Sequence, residues 1–142
     1  MAWEHGLLDI GAFTAAGNYS SAAAQYRVVK LTTAAAFTIN VASSKPPIGV
    51  LQDRPSSGIA GLVRFQGVTK VRVLSTAHSL ISIGNKLCAS TLSKQGGVIN
   101  STLVSRYVIG RALEALSSGT TGIITMLITH EGAGSTGTAA AA

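Results

Sequence analysis

Residues 62–74 read LVRFQGVTKVRVL, and this stretch decides the fold because apolar and polar side chains alternate along it. A period of two is typical of a β-strand with one buried face. Val63 and Phe65 share one face, and Val71 and Val73 share one face beyond Gly67. Because a glycine within a strand indicates a bulge or a bend, we predict one bent strand here, the longest in the chain, with Phe65 facing the core.

Shorter strand signals lie on both sides of this stretch. They are residues 26–31, 37–41, 48–51, 80–83, 107–109 and 123–129. Clusters of Gly, Pro, Asn and Ser separate them and indicate turns. Short strands at this spacing predict an all-β barrel or sandwich. Residues 111–116 contain good helix formers, so by propensity they form either a helix or a continuation of the preceding strand.

The composition indicates a protein that is partly covered by partners. The 142 residues fit a single domain, and 46% of them are apolar while only 5% are aromatic. Charged residues make up 11%, against an average of about 25%. A free monomer usually carries more charge for solubility. The low charge is therefore easier to explain if much of the surface is buried in an assembly.

Positive charge is concentrated in the middle of the chain. The net charge is +6, and all eleven Lys and Arg residues fall between Arg27 and Arg111, where Asp53 is the only acid. Such a segment favours an acidic protein surface or nucleic acid as a partner. Because the cations are single residues between apolar neighbours, an ordinary solvated face is an equally good interpretation.

The residues that carry catalysis or bind metals are sparse and scattered. The five acids suggest no carboxylate pair. His5, His78 and His130 are far apart and lack a second ligand at metal-binding spacing. Residues 67–70 read GVTK, which is the wrong order for a phosphate-binding loop, and Cys88 has no histidine near it in the sequence. We therefore expect no enzymatic activity, no cofactor and no metal.

The sequence also carries signals about its compartment. The amino terminus contains Glu4 and no long apolar run, so we expect no secretory signal. No stretch reaches the about 20 apolar residues of a membrane span. Cys88 is the only cysteine and cannot form an internal disulfide. These features predict a soluble protein made in a reducing cytoplasm, with no membrane partner.

Several short segments occur in an order that resembles the head decoration proteins of tailed phages, also called capsid cement proteins. They are residues 49–52 (GVLQ) followed by Pro55, residues 67–71 (GVTKV), 83–87 (IGNKL), 107–115 (YVIGRALEA) and 122–124 (GII). The similarity covers roughly residues 26–129. Asn85 stands where the family often has Asp, and Asn suits a turn equally well.

The resemblance implies a fold, a function and partners. The fold would be a small β-barrel or β-sandwich, β-tulip-like, in which residues 112–116 continue as a strand. The protein would be a virion component that forms homotrimers on the outer capsid surface and stabilises the expanded shell by bridging major capsid subunits. Before assembly it would reside in the host cytoplasm. We divide the chain into an arm (residues 1–18), a β decoration domain (19–131) and a tail rich in Gly, Ser and Ala (132–142).

Two sets of residues are candidates for capsid contact. The first set lies in the arm and comprises Trp3, Leu7, Leu8, Ile10 and Phe13. An extended arm can add a strand to a capsid loop, with Trp3 as an apolar anchor. The alternative is that these residues form the first strand of the chain's own barrel.

The second set is basic and comprises Arg64, Lys70 and Arg72 of the long strand, which would meet acidic capsid patches. A rival function uses the same residues. A β-barrel that binds single-stranded nucleic acid would track the backbone with these cations and stack a base on Phe65. Aromatic platforms are scarce in the chain, so we rank nucleic acid below a capsid protein as a partner.

Overall fold

A computed structural model describes residues 8–10, 13–33, 35–39, 46–74, 76, 79–90, 96–100 and 106–133. These residues form ten β-strands and one 3-10 turn, which confirms the predicted all-β class. The strands are β1 (Leu8–Ile10), β2 (Thr14–Ala15), β3 (Val28–Thr33), β4 (Ala36–Thr38), β5 (Gly49–Leu51), β6 (Val63–Val73), β7 (Lys86–Ala89), β8 (Val98–Asn100), β9 (Tyr107–Ala112) and β10 (Gly122–Ala133). The 3-10 turn is Ala22–Ala24.

The strands form one open sheet in the order β2-β4-β3-β5-β6-β10-β9-β7-β8, with β1 paired to β6 outside this path. All described pairs are antiparallel except β2 with β4. The sheet curls, so that β3 approaches the start of β8 although the two are far apart in the strand order. The N–H of Val28 in β3 donates to the carbonyl of Gly96, just before β8, at 2.7 Å. Val98 of β8 accordingly packs in the same core cluster as Val71 of β6.

Strand β6 joins the two halves of the sheet at Gly67. Before this residue it pairs with β5 and with β1, and after it β6 pairs with β10 as far as Val73. Gly67 has φ of 93°, a left-handed conformation that glycine adopts without a steric penalty. The register of β6 with β10 is regular from Gly67 onward, and the bulge of β6 lies opposite Leu8 and Asp9 rather than at Gly67. Gly67 marks the point where β6 changes partner.

Two hydrophobic clusters lie on opposite faces of the sheet. Val28 and Val50 belong to the first cluster, whereas their neighbours Val29 and Leu51 belong to the second. Successive side chains of a strand point to opposite faces. Strands β3 and β5 are therefore buried on both faces, which explains their continuous apolar runs.

The expected core position of Phe65 is wrong. Phe65 is half-buried and belongs to neither cluster. The pairing of β1 with β6 explains this: Leu8 lies opposite Gln66 and Asp9 opposite Arg64, so Phe65 is an extra residue without a partner. Such a bulge redirects the side chain of the extra residue away from the simple alternation.

Two predicted strand lengths also need correction. Strand β10 has 12 residues and β6 has 11, so β6 is not the longest strand. Strand β10 continues past residue 129 because its register with β9 shifts between Ile128 and Gly132, where His130 (φ 47°) and Gly132 (φ 73°) adopt left-handed conformations. A bulge of this kind lets a strand bend and continue.

The expected strand over residues 112–116 ends at Ala112. Leu113 and Glu114 form a bend, and Leu116 makes an isolated bridge with Ile81. The cause is a side chain, because the Glu114 carboxylate accepts the backbone N–H of Thr125 at 2.6 Å. The Leu113 N–H still donates to the Thr125 carbonyl at 2.8 Å, so the Glu114 side chain takes the place of the return hydrogen bond of this pair. The helical alternative is not adopted by these residues either.

The sheet extends into both terminal segments of the proposed division, the arm and the tail. Strands β1 and β2 lie within residues 1–18 and pair with β6 and β4, and β10 runs to Ala133. Trp3, Leu7 and residues 134–142 lie outside the described residues. In the described segments, no helix has the length and apolar character needed to cross a membrane.

Candidate assembly interface

One face of the sheet points away from the first hydrophobic cluster and is exposed. Across four strands, Lys86 of β7 lies opposite Arg111 of β9, Arg111 opposite Leu127 of β10, and Leu127 opposite Val68 of β6. Directly opposed residues share a face, so these side chains form a continuous row. The outer sheet face comprises Val68, Lys70, Arg72, Lys86, Arg111, Ile123, Thr125 and Leu127.

The outer sheet face combines positive charge with exposed aliphatic side chains. Four of its eight residues are cations. Val68, Ile123 and Leu127 are exposed, by 42%, 42% and 38% respectively. Their strand neighbours on the opposite face, such as Val71 and Met126, are fully buried. An exposed apolar patch with charges around it is typical of a surface that contacts another protein.

Lys70 is held in place on the β6 side of this face. Its Nζ donates to Thr125 Oγ1 at 2.7 Å and lies 3.5 Å from Glu114 Oε2. Hydrogen bonds from Thr125, with a smaller contribution from the charge of Lys70, lower the pKa of Glu114. Because both partners of the Lys70–Glu114 pair are half exposed, the pair is weak. Lys70 therefore still acts as a positive charge on this face.

Arg111 also forms an ion pair. Its Nε and Nη2 donate to the two carboxylate oxygens of Glu131 at 2.8 and 2.7 Å, and Nη1 donates to the Gly84 carbonyl at 3.2 Å. The hydrogen bond from Arg111 lowers the pKa of Glu131 and raises the pKa of Arg111. Two parallel hydrogen bonds fix the guanidinium geometry, so Arg111 forms a rigid edge of the face.

Arg72 serves the fold as well as the face. Its Nε donates to the Gln25 carbonyl at 2.7 Å and its Nη2 to the Ala22 carbonyl at 2.8 Å, while Arg27 Nε donates to the Ala23 carbonyl at 2.6 Å. Two arginines thus satisfy the carbonyl groups of the 3-10 turn. Burial, and then the neighbouring charge of Arg72, lowers the pKa of Arg27.

A cavity of about 250 Å³ opens beside the outer sheet face. Its lining side chains come from four separate regions of the chain. They are Tyr26, Gln52, Arg64, Val68, Thr69, Lys70 and Thr125. Gln52 Nε2 donates to the buried Thr69 Oγ1 at 2.8 Å and to the Val50 carbonyl at 2.9 Å, so the polar wall is ordered. We call this feature the Tyr26 cavity.

The structure brings some of the predicted contact residues together. Arg64 and Lys70 line the Tyr26 cavity, and Arg72 lies further along the same strand. The backbone of Leu8 and Ile10 pairs with β6 in strand β1, beside Arg64. The backbone of these two residues therefore forms a strand of the chain's own sheet, which was the alternative to a free arm.

Phe13 follows this strand and packs half-buried against the second core cluster, and its carbonyl accepts the Gly61 N–H at 3.0 Å.

The capsid-binding roles of the arm and of the basic residues stay predictions. Sequence reasoning missed Tyr26, Gln52 and Thr125 because no local pattern connects them. Among the residues described, no three His, Cys, Asp or Glu side chains gather where they could hold a metal ion.

The fold of the chain is similar to that of a protein of known structure. No protein-family model matches the chain, and no curated protein does. The fold is similar to the crystal structure of the N base of head fiber gp8.5 in bacteriophage phi29, with a TM-score of 0.58. The two chains are 19% identical, and the similarity covers 89% of this chain and 97% of that chain. At this identity the similarity establishes a shared fold, and it spans nearly the whole of both chains.

Proposed function

We propose that this chain is a structural protein of a phage virion that binds the outer surface of the head as a homotrimer and bridges major capsid subunits. The observation that carries the proposal is the fold shared with the phi29 head fiber base over 89% of the chain. The ordered short segments within residues 26–129, which resemble head decoration proteins, support it separately. The role is mechanical and needs neither catalysis nor a cofactor.

The outer sheet face is the proposed site of capsid contact. Its four cations outnumber Glu114 and Glu131, the two acids that pair with them, so the face complements an acidic surface. Its aliphatic side chains supply area that can be buried. A stable protein interface buries about 800 Å² on each partner. A trimer that presents three such faces gains avidity, since the second and third contacts become intramolecular.

A different part of the surface suits contact between copies of the chain. Leu80, Ile83 and Leu113 are exposed by 55%, 71% and 39%. The Ile81–Leu116 bridge and the hydrogen bond from the Gly84 N–H to the Ala112 carbonyl bring their segments to one end of the sheet. We call this the apolar tip. A closed threefold arrangement hides apolar surface that a monomer leaves exposed.

The arm has a defined place in this proposal. Strand β1 pairs with β6, where Leu8 lies opposite Gln66 and Asp9 lies opposite Arg64. Trp3 and Leu7 then remain candidates for a capsid anchor. The protein acts on the virion surface and resides in the host cytoplasm before assembly.

The nucleic-acid alternative gains less support from the described surface. The apolar residues of the outer sheet face are aliphatic. Proteins that bind single-stranded nucleic acid depend instead on aromatic side chains that stack on bases. Phe65 is half-buried and accessible in part. Tight binding to single-stranded DNA at physiological salt would favour this alternative over the capsid proposal.

The decisive experiment mixes the purified protein with expanded, empty heads of the phage that encodes it. Electron microscopy should then show added density at threefold positions of the outer shell. Light scattering should give the mass of three 14.4 kDa chains for the free protein. A bare shell would contradict capsid binding, and a strict monomer would contradict the trimer.

A further inference from the structure

We propose that the Tyr26 cavity is a carboxylate-binding pocket that receives the side chain of an Asp or Glu residue from a major capsid subunit. This inference rests on the proposed function and assigns a specific contact to it. The cavity lies at the border of the outer sheet face and shares Val68, Lys70 and Thr125 with it. A partner surface that covers the face would therefore also cover the mouth of the cavity.

The charge of the lining favours an anion. Arg64 and Lys70 line the cavity, and none of the described lining residues is acidic. The nearest described acid to Lys70 is Glu114, at 3.5 Å in a half-exposed pair. Arg64 Nη1 already donates to the Val68 carbonyl at 3.1 Å. The shorter, charge-assisted hydrogen bond to an incoming carboxylate is therefore assigned to Lys70.

Hydrogen-bonding groups surround the same space. Tyr26 makes no side-chain hydrogen bond within the part of the chain that the structure describes. We assign its phenol O–H as a donor to the ligand oxygen. The Gln52 amide is fixed by Thr69 and the Val50 carbonyl. A pocket with pre-ordered polar walls loses little entropy when it binds.

The backbone of Tyr26 is held in an unusual conformation at this place. Its φ is 65°, in the left-handed region that bulky residues seldom occupy. The Tyr26 N–H donates to the Leu51 carbonyl at 2.8 Å, and its carbonyl accepts the Arg72 N–H at 3.0 Å. These two bonds impose the conformation from both sides. Backbone strain that the surrounding structure maintains is concentrated at binding sites.

The size of the cavity restricts the ligand. A volume of about 250 Å³ is smaller than the roughly 300–1,000 Å³ of pockets for drug-sized molecules. It suits one small side chain rather than a nucleotide. Val68 forms an apolar wall that can contact the methylene groups of a Glu side chain. The exposed Leu127 next to Val68 adds apolar surface that a free ion cannot use, which favours a carboxylate carried by a protein.

Two substitutions remove the pocket chemistry with little change to the fold. Tyr26→Phe deletes the phenol O–H and keeps the ring, and Lys70→Met removes a half-exposed charge. Lys86→Met is the matched control, because it removes the same charge from the same face outside the cavity. All three variants should retain wild-type urea midpoints.

The first measurement follows the Gln52 side-chain amide by NMR while N-acetyl-glutamate N-methylamide is added. N-acetyl-glutamine N-methylamide serves as the neutral control, and inorganic phosphate is added at equal ionic strength. We expect saturable shifts with the glutamate compound alone, weakened about tenfold or more by Tyr26→Phe and Lys70→Met. Phosphate binding tighter than the glutamate compound would overturn the assignment to a carboxylate.

The second measurement compares the same variants for binding to expanded heads. We expect Tyr26→Phe and Lys70→Met to bind at least about tenfold more weakly than Lys86→Met. If wild-type protein binds heads and all three variants bind equally, the pocket inference is wrong and the proposed function stands. If wild-type protein leaves heads bare but the NMR titration succeeds, the proposed function fails and the carboxylate pocket stands without a capsid partner.

Discussion

The Glu114 carboxylate accepts the backbone N–H of Thr125 at 2.6 Å, so a side chain occupies the place of a backbone acceptor where β9 leaves β10. We expect Glu114→Ala to loosen this end of the sheet, because the Thr125 N–H loses its acceptor. Glu114→Gln keeps an acceptor oxygen and should be closer to wild type. Urea unfolding measures both, and equal midpoints for the two variants would contradict a role for the hydrogen bond.

Acid should destabilise the protein through Glu131. The hydrogen bond from Arg111 lowers the pKa of Glu131 in the folded state below its unfolded value of about 4.3. The stabilisation is therefore fully present above pH 4.3 and is lost as the pH falls through the lowered folded pKa. Urea midpoints at pH 7 and pH 3 should differ less for Glu131→Gln than for wild type. An unchanged difference would show that other groups govern the acid response.

Gly49 should tolerate no side chain. A Cβ atom at this position would overlap the carbonyl of Arg64 and lie 2.9 Å from Val63 Cγ1, so β5 and β6 would have to separate. We expect Gly49→Ala to reduce the free energy of unfolding by about 1–3 kcal/mol. Gly122→Ala is the control, because its Cβ would meet only Leu116 Cδ1, at 3.5 Å. Equal stability of the two variants would contradict the close approach of β5 to β6.

A negative charge at the centre of the outer sheet face should abolish capsid decoration. Leu127→Asp places a carboxylate between Val68 and Arg111 while the fold stays intact, since Leu127 is 38% exposed. Ile59→Asp is the control, because Ile59 is 58% exposed in the loop before β6. Electron microscopy of heads mixed with each variant gives the result. Full decoration by Leu127→Asp would remove this face from the capsid contact.

Capsid binding should weaken as salt rises. Raising the ionic strength from 0.1 to 1 M shortens the Debye length from about 10 to about 3 Å and screens the cations of the outer sheet face. Sedimentation of heads with bound protein measures the effect. Binding that strengthens with salt would indicate an apolar contact, such as one through the apolar tip.

Much of the fold was predictable because its signals are local. The alternation within residues 62–74 predicted a long strand, and Gly67 predicted a special backbone position there. The predicted segments 48–51 and 123–129 correspond to β5 and β10. The ends of strands were less predictable. Strand β9 stops at Ala112, where the Glu114 side chain accepts the Thr125 N–H, and β10 continues beyond residue 129 through a bulge.

The candidate site was predictable only in part. Arg64, Lys70 and Arg72 were singled out from one strand, and they do lie on β6. Lys86, Ile123 and Leu127 of the outer sheet face were not, because strand pairing rather than sequence spacing brings them beside β6. Tyr26 joins the site through two backbone hydrogen bonds to distant strands.

The sequence by itself determined the strand character, the bend glycine and the basic middle of the chain, since each depends on residue type and near neighbours. Only the tertiary structure decided which residues share a surface. The bulge opposite Leu8 and Asp9 moved Phe65 out of the core, and the register of β6 with β10 placed Val68 beside Leu127 and Lys70 beside Thr125. A shift of one residue in that register would turn the outer sheet face into the core.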